Sequence, residues 1–209
     1  CAYGCTPDDV KINSELGIRK HKWSEEGKSE AEVNFEAANW KLLEGMRYVK
    51  RKSFDFVLQT IGIYDNADII IKSCDILHDK FVEQLRLLES DEMEIKPSAT
   101  TMENCYDVIL VNEDYTIGNI LNAEIYDIYF TDLKKVSYIG FKKMHPHDSN
   151  SILRMSLTEE NVGKEYVKQI LKYTMNEVLA NITQIKGLFD GTRMKASSMK
   201  ASSAADGGP

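Results

Sequence analysis

The chain has 209 residues, 43% of them hydrophobic, and a formal net charge of -7. That length suits one ordinary domain or two small ones, and the apolar content excludes a disordered chain. The acidic balance disfavours direct nucleic-acid binding, which needs a basic face to release counterions. No window approaches the roughly 20 apolar residues of a bilayer span, and no charged segment followed by an apolar run opens the chain as a signal peptide would. A soluble, intracellular protein with no membrane partner is expected.

Residues 1–52 show weak periodicity, broken by Gly4, Pro7, Gly17, Gly27 and Gly45 around a mixed-charge stretch from Glu25 to Glu36. They read as irregular or short-stranded structure. From Ser53 the pattern sharpens: Phe54, Phe56 and Leu58 alternate with Asp55 and Gln59 in the period of a half-buried strand, which Gly62 ends. Asp65 or Asn66 can cap a following helix whose apolar positions Ile70, Cys74, Leu77, Phe81, Leu85 and Leu88 recur at steps of three and four. The acidic run Glu89 to Glu94 stops it, and Lys96-Pro97-Ser98 reads as a joint, because the residue before a proline is pushed out of helical geometry.

A second unit should start near residue 100. Cys105 to Val111 predicts a strand, Asn112-Glu113-Asp114 a turn, and Thr116 the cap of a helix with Ile117, Ile120, Leu121, Ile125 and Ile128 on one stripe. Strands follow over Val136 to Phe141 and Ser151 to Leu157, where Leu153, Met155 and Leu157 alternate with Ile152, Arg154 and Ser156. Asn161 can cap a last helix from Val162 to Phe189, about 42 Å long, with Gly191 placed to end it. Its seam of Leu171, Met175, Val178, Ile182, Ile185 and Phe189 has coiled-coil spacing and needs a partner along its length. The simplest partner is the helix bearing Cys74, Leu77, Phe81, Leu85 and Leu88. The tail repeats Met-Lys-Ala-Ser-Ser at Met194 and Met199 and reads as disordered or not native.

Chemistry has little purchase here. Cys1, Cys5, Cys74 and Cys105 are too sparse for a secreted disulfide framework and read as free thiols, while a metal site would need about four closely spaced ligands where Cys1 and Cys5 have only His21 nearby. His145 and His147 around Pro146, with Asp148 adjacent, read as a hydrogen-bonded loop. Cys74 sits on an apolar seam with His78 one turn on; packing is the favoured role over nucleophilic catalysis. Lys50-Arg51-Lys52, Lys134-Lys135 and Lys142-Lys143 read as solvated faces, and no phosphate-cradling glycine loop is present. No catalytic residue, metal ligand or cofactor is assigned.

The segment Glu113-Asp114-Tyr115-Thr116-Ile117-Gly118-Asn119, then Gly140-Phe141 and His145-Pro146, resembles the signature of the eleventh-subunit family of eukaryotic RNA polymerases, equivalent to the archaeal L subunit and related to bacterial alpha. The likeness spans residues 105–189. Gly17-Ile18 with His21-Lys22-Trp23-Ser24, and the strand and helix from Phe54 to Leu88, more weakly resemble the third-subunit (archaeal D) family. One chain carrying both in that order is similar to the fused polymerase subunit of large nucleocytoplasmic DNA viruses, in its C-terminal portion; residues upstream of Cys1 are therefore expected. Tyr115, Met144 and Asn122 depart from the family's usual His, Pro and basic residue, and Glu25 from a common proline.

The resemblance implies an α+β, alpha-like dimerisation fold: an antiparallel sheet packed with long paired helices, β-α-β-β-α in residues 105–189. The divisions it implies are a third-subunit-like insert remnant (1–52), a strand and long helix (53–95), a linker (96–104), an eleventh-subunit-like dimerisation domain (105–190) and a disordered tail (191–209). Glu113 and Asp114 would end the first strand, Thr116 cap the helix and Gly118 let it pack closely. The implied function is a non-catalytic assembly scaffold of a DNA-directed RNA polymerase that docks the two largest subunits and small polymerase subunits, with catalytic aspartates and magnesium in the largest subunit. Its place would be the host cytoplasm in viral factories, the virion, or the host nucleus. The alternatives are a homo-oligomeric helical adaptor unrelated to transcription and, more distantly, a small hydrolase using Cys74.

Overall fold

The computed structural model describes residues 1–99, 102–159 and 163–205, with residues 192–205 as backbone alone. The chain forms two compact units, dividing after Asn66. It is an α+β protein whose sheets are antiparallel.

In the first unit, β1 (Ala2–Pro7) pairs with β2 (Val49–Val57), and between them lie α1 (Asp9–Glu25), α2 (Glu30–Leu43) and a 3-10 turn at Gly45–Arg47. The two helices correct the expectation of irregular structure over residues 1–52. Both begin on side-chain caps: Asp8 accepts the Lys11 N–H, and Ser29 accepts the Glu32 N–H while the Glu32 carboxylate takes the Ser29 N–H, a reciprocal capping box. Gly27, at φ +82°, turns the chain between them. Their shared core is small, consisting of Leu16, Ala37 and Trp40 with Ile12, Trp23 and Tyr48 against it and the Arg19 guanidinium 5.1 Å from the Trp40 ring centroid. Val10, Ile18, Phe35 and Leu42 lie outside that core, exposed, which is why no apolar stripe shows in the sequence.

The second unit opens with α3 (Asn66–Glu89), entered from the first unit's last residue. Strands β3 (Ile95–Pro97), β4 (Cys105–Leu110), β5 (Val136–Lys142) and β6 (Ser151–Leu157) form one sheet in the order β3-β4-β6-β5. The anticipated linker is therefore partly strand. Pro97 is tolerated there because β3 is an edge and needs donors on one side only. α4 (Tyr115–Ile125) runs into a π-helical turn, Tyr126–Asp132, and α5 begins at Lys164. The expected cap Asn161 and Val162 lie outside the described residues.

Alternation decides the faces of this sheet. Val108 and Leu110 of β4 and Leu153, Met155 and Leu157 of β6 point to one side, where Phe81 and Leu88 of α3, Ile117, Leu121 and Ile125 of α4, and Val167, Leu171, Met175, Val178 and Ile182 of α5 close one continuous core. On the opposite face Arg154 meets Asp107 bidentately, Nε to Oδ1 at 2.6 Å and Nη2 to Oδ2 at 2.8 Å. α3 thus shares its core with the 105–189 segment, and the partition at 95/96 is not a structural boundary. Helix α5 also passes Gly191 and runs to Ala205, where Met, Lys and Ala are good helix formers. The expectations that Gly191 ends the helix and that disorder starts there are corrected as far as Ala205; residues 206–209 lie outside the described residues.

Candidate assembly interface

The two apolar seams read from the sequence meet inside one chain. Ion pairs set their register: Asp75 to Lys186 at 2.6 Å, Glu89 to Lys172 at 2.7 Å, and Asp91 to Lys168 at 2.9 Å and Lys164 at 3.3 Å. Numbers rise on α3 as they fall on α5, so the helices are antiparallel. From Asp75 to Glu89 is fourteen residues, as from Lys172 to Lys186, so one register spans about four turns. Exposed pairs contribute only about 0.2–1 kcal/mol each, so burial holds the helices together and charge selects their alignment. Hydrogen bonds from Lys168 and Lys164 hold the Asp91 carboxyl below its usual range, and Asp75 raises the Lys186 ammonium.

Seam burial is uneven. Phe81, Leu88, Leu171, Met175, Val178 and Ile182 are buried, and Cys74, Leu77 and Leu85 are half-buried against them. Beyond Ile182 the seam runs out of partners: Ile185 is 47% exposed and Phe189 half-buried. The closure expected along the whole stripe therefore holds to Ile182, and the distal stretch of α5 is presented outward.

The motif segment is a joint between α4 and the sheet. The helix cap is Asp114, whose carboxylate accepts the Thr116 N–H at 3.2 Å; Thr116 itself is in the first turn, correcting its assignment as cap. β4 ends at Leu110, so Glu113 and Asp114 follow the strand across Asn112, at φ +56°. Glu113 is buried, its carboxylate taking Lys80 Nζ at 2.8 Å from α3 and its carbonyl the Ser151 hydroxyl at 2.8 Å from β6. Gly118 is fully packed: a Cβ there would lie 1.9 Å from Phe141 Cε2. Phe141 lies edge-on to Tyr115, centroids 5.6 Å apart, so Gly118 and the Gly140-Phe141 pair, distant in sequence, form one lock. Asn119 is exposed, as are His145 and Pro146 at the β5–β6 connection, where His145 Nδ1 accepts the His147 N–H at 3.2 Å.

Apolar surface missed at the sequence level lies in the first unit. On the β1–β2 ribbon Tyr3 faces Phe56 and Cys5 faces Phe54, so these four share one side, with ring centroids at 5.9–6.1 Å. Phe54 and Phe56 are 48% and 69% exposed, correcting the half-buried strand: the alternation was real, but nothing in that unit covers the face among the described residues. The exposed, stacked Tyr126 and Phe130 of the π-helical turn, centroids 4.8 Å apart, add a second such patch in the other unit. Surface rings in this number mark contact sites rather than ordinary solvent-facing residues.

Cys74 lines a cleft with Asp75, His78, Ile182, Thr183 and Lys186. Burial pushes its thiol up, Asp75 adds to this and Lys186 opposes it, so the resting group is the unreactive thiol. Among the described residues no group of three or more His, Cys, Asp or Glu is placed to hold a metal ion, and no helix is long and apolar enough to cross a membrane. No family model matches the chain, and no curated protein matches it significantly. The class defined by these features is an α+β chain built around an internal antiparallel helix pair, with unsatisfied apolar surface in both units.

Proposed function

We propose that this chain is a non-catalytic assembly scaffold of a multisubunit DNA-directed RNA polymerase, an alpha-like heterodimer folded within one polypeptide that docks the large catalytic subunits and the small subunits around them. The observation that carries the reading is the closure of α3 on α5 over a four-stranded antiparallel sheet, which joins the segment resembling a third subunit to the one resembling an eleventh subunit. The Gly118–Phe141 lock supports it, because the separate pieces of sequence that carried the resemblance turn out to be one packing unit. The outward run of α5 from Ile185 and the aromatic ribbon supply surface for partners.

The test is affinity purification of the tagged protein from cells making the whole polymerase, with mass spectrometry of what accompanies it. Recovery of the two largest catalytic subunits is the expected outcome. A discrete self-dimer with no polymerase component overturns the reading in favour of a homo-oligomeric adaptor.

A further inference from the structure

A cleft of about 390 Å³ opens where the chain leaves α3 and turns round the edge of β4. Its floor is apolar, formed by Leu87, Met93, Ile109 and Val111, and its rim carries the carboxylates of Glu83, Glu92 and Glu113. Acidic rims are common and would carry little alone. Gln84 distinguishes this one: it lines the cleft, is only 3% exposed, and its Oε1 accepts no hydrogen bond among the described residues. A buried carbonyl oxygen without a donor is rare in native folds and marks a place where a donor arrives.

Three properties define that donor. It must reach Gln84 Oε1 through an apolar throat, so a long aliphatic stem fits. It must be cationic: Arg86 pairs with Glu83 and Glu92, and Lys80 with Glu113, leaving three carboxylates against two cations. Hydrogen bonds from Arg86 hold Glu83 and Glu92 below the usual carboxylate range, so both are charged at neutral pH. It must also serve several acceptors at once, because each carboxylate retains lone pairs beyond the one its present partner uses. A guanidinium, with five donors in a planar fork on a three-carbon stem, meets all three conditions, whereas an ammonium supplies a compact point charge.

We infer that this cleft is a socket for an arginine side chain of a partner protein in the assembly. The inference rests on the assembly reading for the existence of a partner, and the socket's own chemistry can be tested without one. The probe is N-acetyl-arginine amide titrated into the isotopically labelled full chain, reading the Gln84 side-chain amide and the Ile109 and Val111 methyl resonances. N-acetyl-citrulline amide, an uncharged near-isostere, and N-acetyl-lysine amide serve as comparisons.

Saturable shifts with the arginine probe, at least about tenfold weaker with citrulline or lysine and in Gln84→Met, are expected. Val111→Trp, at a rim position 46% exposed, should plug the cleft without entering the core and abolish the response. The socket is overturned by the absence of saturable shifts, by an equal response to citrulline or lysine, or by an undiminished response in well-folded Gln84→Met and Val111→Trp. A chain that binds the arginine probe but recovers no polymerase subunit keeps the socket and loses the polymerase reading; the converse result loses the socket alone.

Discussion

Replacing Gly118 by Ala tests the α4–β5 lock directly. In an ordinary helix interior this change stabilises by about 1 kcal/mol, because alanine restricts the unfolded backbone and favours the helix. Here the added methyl would stand 1.9, 2.2 and 2.5 Å from three atoms of the Phe141 ring. Carbon atoms pack at about 3.5–4.0 Å, so the ring must retreat by roughly 1.5–2 Å from a position also fixed edge-on to Tyr115. Overpacking of this kind costs about 1–3 kcal/mol, which exceeds the helix gain, and a net loss of about 1–2 kcal/mol follows. For a unit of this size that is a fall in Tm of about 3–6 °C. Urea titration followed by far-UV circular dichroism measures it, with Phe141→Leu added to Gly118→Ala expected to recover part of the loss. Gly118→Ala more stable than the parent by about 1 kcal/mol would refute the reasoning.

The seam residues separate folding from assembly. Ile182→Asp buries an unpaired carboxylate at a position only 6% exposed and should cost about 3–5 kcal/mol, read as loss of cooperative unfolding. Ile185→Asp, one turn on at a 47% exposed position, should leave the melting curve unchanged while lowering recovery of partner subunits; equal effects from the two would overturn the distinction. Asp107→Asn should cost about 1–3 kcal/mol at pH 7 by leaving Arg154 without its carboxylate. Arg154 depresses the Asp107 pKa below its ordinary value of 3.8, so the pair's contribution is fully present above about pH 4 and is lost as pH falls through the depressed value. The stability gap between parent and Asp107→Asn should therefore narrow on acidification below about pH 4, and a widening gap would contradict the assignment.

Where each face of an element met a different environment, the sequence was readable. α3, β4, α4, β6 and α5 all pack on one core, so their apolar residues recur at helical or strand spacing and their existence could be inferred. The first unit defeated that logic, because Val10, Ile18, Phe35 and Leu42 are exposed and only Leu16, Ala37 and Trp40 form its buried cluster. A periodicity argument assumes that apolar residues face inward. The Ser29–Glu32 capping box was nonetheless present as Ser-x-x-Glu and would have marked the start of α2. At the motif, glycine at 118 announced close packing, but its partner Phe141 comes from a strand more than twenty residues later, a tertiary fact that local spacing does not contain. The Gln84 cleft had no sequence signal: an inward-facing glutamine on an amphipathic helix looks like a boundary position until its acceptor is found without a donor.

The pairing of α3 with α5 also imposes an order in time. Asp75 and Lys186 are 111 residues apart in the chain, so at about 5–20 residues per second a ribosome finishes α3 roughly 6–20 seconds before its partner emerges. During that interval Phe81 and Leu88 can bury only against whatever is already at hand, including the wrong helix of a neighbouring nascent chain. Joining both helices in one polypeptide fixes their ratio at one to one and frees their association from dilution, while leaving the earlier half dependent on chaperones until the later half arrives.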